Sequence, residues 1–220
     1  MLNKSEREQI IALVQREVIP AIGCTEPVAV ALCVAKAAET LGKQPEHITV
    51  LLSANILKNA MGVGIPGTGM IGLPIAIALG ALIGKSSYQL EVLKDCSPEA
   101  VENGKQYIAE KRIAISLKEH ITEKLYIEVV CEAGNEQSKA IISGGHTNFI
   151  YVSKGDQVLL DKQSGSQAEE EEAVELNLRK VYDFAMTSPL EELEFILESM
   201  RLNKTAAEQS FKGDYGHGVG

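Results

Sequence analysis

The chain has 220 residues, 45% of them hydrophobic, and a formal net charge of -9 at pH 7. That is enough apolar material to bury a real core in one large domain or two small ones, and the acidic balance repels nucleic acid and anionic membrane surfaces. The partners left are small molecules, other proteins or a second copy of the chain.

The N-terminus, MLNKSEREQII, has no apolar stretch after a basic start and no cleavage pattern, so no secretory signal is read and the expected compartment is the cytoplasm. From Ser5 the apolar positions Ile10, Val14 and Val18 recur at helical spacing. Ser5 and Glu8 are placed as a capping box, and the helix is expected to end near Pro20. Thr25 is the expected N-cap of a second helix, with Glu26 and Pro27 in its first turn and a body from Val28 to Leu41 before Gly42. Cys24 then lies just outside a helix N-terminus.

HITVLLS, at 47–53, is a β-branched strand, and it is expected to feed a long loop, ANILKNAMGVGIPGTG, ahead of an apolar helix at 70–83. The apolar run at 70–84 is shorter than the roughly 20 residues of a membrane span and carries a proline and glycines, so it reads as a buried helix. A helix is expected near 86–94, and another, opened by Ser97 with Pro98 at its first position, reaches about Glu110. The period then changes. Ile113, Ile115 and Leu117 alternate with polar or small residues, as do Leu125, Ile127, Val129 and Cys131. With segments 139–143, 148–152 and 157–161 they make a mostly antiparallel meander, turning at Ala133-Gly134-Asn135 and Lys154-Gly155-Asp156.

After it comes an acidic linker, DKQSGSQAEEEE, and a helix expected over about 170–187. Ser188 and Glu191 then form a second capping box for a helix carrying Leu190, Leu193, Leu197 and Met200. The expected class is α+β: a helical unit over 1–110 with a buried apolar helix, packed against a mostly antiparallel, mixed sheet over 111–162, with returning helices over 163–220. The glycine-rich tail has neither cap nor closing strand, and the chain is expected to be the front part of a longer protein.

Gly62 to Gly67 spells G-x-G-x-x-G, the dinucleotide-binding fingerprint, but it does not follow a strand at once, Pro66 sits inside it, and no second strand supplies a ribose-binding acid. Turn chemistry is the better reading. The same loop sets Asn55, Lys58, Asn59 and Thr68 among glycines that include Gly67 and Gly69. Such amides can form an anion nest suited to a carboxylate, or the residues can simply supply turn geometry. SGGHTN, at 143–148, interrupts a strand run with a histidine, and His146 is either a proton-transfer group or ligand, or a hydrogen-bonded structural residue. No CxxC pair or zinc-finger spacing links the cysteines. Cys131 shares the parity of the buried strand face, Cys33 sits inside an apolar helix about half a turn out of phase with Cys24, so both read as core residues, and Cys96 is ambiguous. Cys24 alone sits where a helix dipole favours thiolate, for a reactive or a structural role.

Three blocks, PAIGCTEPVAVAL, SANILKNAMGVGIPGTGMIGLPIAIALGAL and ISGGHTN, resemble the L-cysteine desulfidase family and the related serine dehydratase α chain, with the similarity running along the whole chain. The resemblance implies a PLP-independent lyase. Such an enzyme uses a 4Fe-4S cluster to remove the β-substituent of a small amino acid, L-cysteine or L-serine, giving pyruvate and ammonia, with sulfide from cysteine. It implies Cys24 as one of three cluster cysteines, thiolates being what such clusters need. The others belong to a second half that this chain lacks, and Cys33, Cys96 and Cys131 do not match them, so this chain alone is expected to be inactive. Catalytic roles are expected for His146, Lys58 and Asn59, and substrate contacts for Asn55, Gly67, Thr68, Gly69, Thr147 and Asn148. The competing reading is a non-catalytic module that binds a small carboxylate. The polar segments around Asn59 and His146 are expected to share one cleft, with Cys24 on its rim.

Overall fold

The computed structural model describes residues 2–162 and 175–213. They divide into two compact units, Met1–Pro20 with Glu169–Gly220, and Ala21–Ala168. The fold is α+β.

In the smaller unit α1 spans Lys4–Glu17, α6 Leu178–Thr187 and α7 Glu194–Ser210. The capping box of α1 is formed by Asn3 and Glu6, two residues before the expected pair: the Asn3 side chain accepts from the Glu6 amide at 2.9 Å, and the Glu6 carboxylate accepts from the Asn3 amide at 3.1 Å. The helix ends at Glu17, since Ile19 precedes Pro20 and is steered away from helical angles. The expected helix at 170–187 starts at Leu178, capped by Asn177, and its span over 170–174 lies outside the described residues. The Ser188 box does not form, because Ser188 closes α6 and a 3-10 turn, Leu190–Leu193, leads into α7. Ion pairs Arg7–Glu192 at 2.8 Å and Lys180–Glu6 at 3.2 Å tie these elements together.

The larger unit is built on a six-stranded sheet. β1 is His47–Leu52, β4 Ile113–Leu117, β5 Tyr126–Ala133, β6 Glu136–Ser143, β7 Phe149–Lys154 and β8 Gln157–Asp161. The order is β4-β1-β5-β6-β7-β8. β5 to β8 form the antiparallel meander, with Gly134 at φ 56 in the first turn, where a residue with a Cβ is strained. β1 inserts beside it, antiparallel to β5 and parallel to β4, which makes the sheet mixed.

α2, Thr25–Leu41, lies on β5, β6 and β7 and is buried along almost its whole length, as an Ala- and Val-rich helix without a polar face should be. Gly42 ends it at φ 81, and the Lys154 ammonium donates to the Leu41 carbonyl at 2.8 Å. α4, Leu73–Leu82, packs on α2 and on α5, Pro98–Ala109, which Ser97 caps as expected. Contact between α2 and α4 is close: a Cβ on Gly80 would meet the Ala31 carbonyl oxygen at 2.6 Å, and one on Gly84 the Ala35 Cβ at 2.8 Å. The expected helix at 86–94 is a 3-10 turn, Ser86–Glu91, broken by Gln89 at φ 52.

Residues 54–69 are not one loop. ANILKNA has no glycine to stop it and forms α3, Ala54–Ala60, after which Gly64–Ile65 and Met70–Ile71 pair as a small hairpin, β2 and β3. The G-x-G-x-x-G run therefore enters a hairpin and not a strand-to-helix turn, which removes the dinucleotide reading. Cys33 and Cys131 are fully buried core thiols, and the Cys33 Sγ donates to the Ala140 carbonyl at 3.4 Å.

Candidate active site

Cys24 is itself the N-cap of α2, one residue before the expected cap, and its side chain makes no capping bond. The exposed thiol donates instead to Oε2 of Glu26 at 3.4 Å. The other oxygen of that carboxylate, Oε1, accepts from the Asn59 amide of α3 at 3.4 Å. His146, from the turn between β6 and β7, lies near enough for its charge to act on Glu26. The Cys24–Glu26 junction and α3 thus meet at one carboxylate at a helix N-terminus, a position that suits a negative charge.

Glu26 feels two opposed influences. Partial burial pushes its carboxyl up, but its own backbone amide, the Cys24 thiol, the Asn59 amide and the His146 charge together hold it below the usual value. It is therefore ionised at neutral pH, which has a cost for its neighbour. Burial and then the hydrogen bond and charge of Glu26 push the Cys24 thiol up, against backbone amides of Glu26 and Thr25 that pull it down. The thiolate expected from the helix dipole is thus not the resting state: burial, together with a carboxylate two residues away, outweighs the first-turn amides.

The glycine hairpin adjoins this cluster. Gly23 has φ 83, and a Cβ there would meet Pro66 Cγ at 2.6 Å, so the hairpin tip rests against the residue before Cys24. Gly67 stands next to Cys96, whose Sγ would be 3.9 Å from a Cβ at that glycine, and Gly69, at φ 63, faces open space. The Thr68 hydroxyl is committed to the turn, donating to the Ile65 carbonyl at 2.6 Å and accepting from the Met70 amide at 2.9 Å. Asn148 is likewise engaged in its own turn, donating to the Ser143 carbonyl at 2.8 Å and accepting from Lys162 at 3.4 Å. Thr147 beside it is half-buried. Lys58 is exposed on α3 with no hydrogen bond or ion pair among the described residues.

Asn55, one turn before Asn59, lines a cleft of about 660 Å³ with Ser53, Lys118, His120 and Lys124, at the ends of the parallel strands β1 and β4. None of Cys24, Glu26, Asn59 and His146 lines it. Beside it, on the sheet face turned away from α2, Glu128 is buried and takes Lys118 at 2.7 Å, Lys139 at 2.6 Å and the Tyr126 hydroxyl at 2.8 Å. Burial raises its carboxyl, but the two ammoniums and the phenol prevail and hold it at about 2.

Sequence reasoning assigned Glu26 only to a first helical turn. The signal was its place two residues after an unpaired cysteine, but a carboxylate there is ordinarily explained by the helix dipole alone.

The chain is similar to proteins named UPF0597. It is 78% identical over 220 residues to one from Bacteroides fragilis, covering 100% of this chain and 51% of the relative. It is 72% identical over 218 residues to one from Bacteroides thetaiotaomicron, with 99% and 51% covered. With one from Oleidesulfovibrio alaskensis it shares 41% identity over 219 residues, with 99% and 51% covered. The chain thus spans about half the length of the curated relatives it matches. No family model matches it, and no solved structure does.

Proposed function

We propose that this chain supplies one part of the active site of a lyase that removes the β-substituent of a small amino acid, L-cysteine or L-serine, the site being completed by the other half of a protein of the relatives' length. The observation that carries the reading is that Cys24 and Asn59 both donate to the ionised carboxylate of Glu26, on which the charge of His146 also acts. A β-elimination moves the α-proton to a base while the β-sulfur or hydroxyl leaves with its bonding pair. In this site Glu26 is the acceptor for the proton, Asn59 orients that carboxylate, and His146 returns a proton to the leaving group. Lys58 is a cation available to the substrate carboxylate, together with the hairpin amides near Gly67 and Gly69. Thr68 and Asn148 shape their turns in this reading, and Asn55 belongs to the neighbouring cleft.

The family resemblance adds a 4Fe-4S cluster, and the residues present do not amount to a site for one. Among the described residues no group of three or more His, Cys, Asp or Glu is placed to hold a metal ion. Cys33 and Cys131 are sealed in the core, Cys96 is half-buried beside Gly67, and Cys24 is exposed. The described residues therefore do not supply the three thiolates that such a cluster needs. Among the described residues no helix is long and apolar enough to cross a membrane.

A second reading, a non-catalytic module for a small carboxylate, is favoured by the cleft that Asn55 shares with Lys118 and Lys124. The deciding experiment purifies the full-length Bacteroides fragilis relative without oxygen and measures bound iron together with pyruvate and ammonia from L-cysteine and L-serine. Iron that falls when the residue aligned with Cys24 is changed to alanine, with both products formed, supports the lyase. Absence of products, with calorimetry showing iron-independent binding of small carboxylates to this chain, supports the module instead.

A further inference from the structure

The smaller unit has almost no core. Among its described residues Ile10 is the single buried hydrophobic side chain, and neither α6 nor α7 contains a buried residue. Yet α6 is strongly amphipathic. Leu178, Tyr182 and Met186 recur every four residues, so they share one face of the helix, and they are 90%, 60% and 66% exposed. On α7 Leu197 and Met200 are also open to solvent, at 57% and 62%. Helices of these lengths draw their stability chiefly from packing an apolar face, and an apolar helix face left open to solvent marks an interaction site.

The relatives indicate what covers it. Their sequences align with this chain along all or nearly all of its length but are about twice as long, since the aligned part is 51% of each of the two Bacteroides proteins. A segment in the same polypeptide meets the face at the high effective concentration of a tethered partner, an advantage that a second copy lacks. We propose that the α6 face made by Leu178, Tyr182 and Met186 docks the half of the full-length protein that lies outside these 220 residues. The occupant presents a complementary apolar surface. This inference is independent of the chemistry at Glu26, because it rests on a different unit and on no property of the active site.

Hydrogen exchange followed by mass spectrometry, run on this chain and on the full-length Bacteroides fragilis relative, tests it. Amides over 178–186 should exchange at least tenfold more slowly in the full-length protein, while the core strand at 126–133 should be equally protected in both. Aspartate at the position aligned with Met186 should return the α6 amides of the full-length protein to fast exchange, and Met186→Asp in this chain should change nothing. If the aspartate also exposes the strand at 126–133, the milder change to serine at the position aligned with Tyr182 makes the same comparison. Equal α6 exchange in the two proteins overturns the proposal. So does α6 protection in this chain that grows with its concentration, which would make a second copy the occupant, and so does protection in the full-length protein that survives both substitutions.

Discussion

Replacing Gly80 by alanine sets two opposite effects against each other, and the structure decides which is larger. In an exposed helix the change would stabilise the protein by about 1 kcal/mol, the difference in helix propensity between the two residues. At Gly80, however, the new Cβ would stand 2.6 Å from the carbonyl oxygen of Ala31 and 3.1 Å from its Cα, both backbone atoms of α2. No rotamer relieves that contact. Either α4 moves away from α2 by several tenths of an ångström or α2 leaves the sheet, and overpacking of this kind costs about 1–3 kcal/mol. The strain acts against backbone and so lies at the upper end, which leaves a net loss of about 1–2 kcal/mol after the propensity gain. For a chain of this size each kcal/mol corresponds to about 2–4 °C in Tm. Urea unfolding of Gly80→Ala, read as a lower midpoint at unchanged slope, is the assay. Gly104→Ala provides the internal contrast, because the one tight contact of its Cβ would be the side-chain tip of Ile75, Cδ1 at 2.9 Å, with Leu79 and Ala78 at ordinary distances, and it should cost less. A Gly80→Ala protein more stable than the parent would refute the close crossing of α2 and α4.

Glu128→Gln should destabilise the protein by about 2–3 kcal/mol at pH 7, since a carboxyl held at about 2 in the fold against an ordinary 4.5 stabilises the charged native state. That contribution is nearly complete above pH 4.5 and is lost as pH falls through about 2, so urea midpoints of the two proteins should draw together below pH 4.5 and converge only near pH 2 and below, and an unchanged gap would contradict the assignment. Glu26→Gln should speed alkylation of Cys24 at fixed pH several-fold, because the acid that raises the thiol is removed; peptide mass mapping should find Cys33 and Cys131 unmodified in the native protein, and a slower Cys24 would reverse the proposed electrostatics. Gly23→Ala adds a side chain at φ 83 against Pro66 and should cost about 1 kcal/mol or more. Faster proteolysis within 62–69 would report the displaced hairpin, and an unchanged digest would mean the hairpin does not rest there.

Much of the fold was legible in the residues because each element reports its own burial. The alternation through Ile127, Val129 and Cys131 marks one face of a strand, the unbroken apolar runs of α2 and α4 mark helices buried on all sides, and Ser97-Pro98 marks the start of α5 by the hydrogen-bonding needs of a first turn. Turns were legible where glycine must take positive φ, as at Gly134. What local pattern could not state is which distant parts meet. The insertion of β1 between β4 and β5 depends on backbone pairing across many residues, and no side-chain period encodes it. α3 was hidden because its polar residues look like loop residues until Ile56 and Ala60 are seen to pack into the core. The site shows the same division most clearly. Cys24 and Asn59 were each noticed for their type and setting, yet only the tertiary structure joins them through Glu26 and sets the charge of His146 to act on it, because a carboxylate's charge and a thiol's proton are set by the groups that folding brings near.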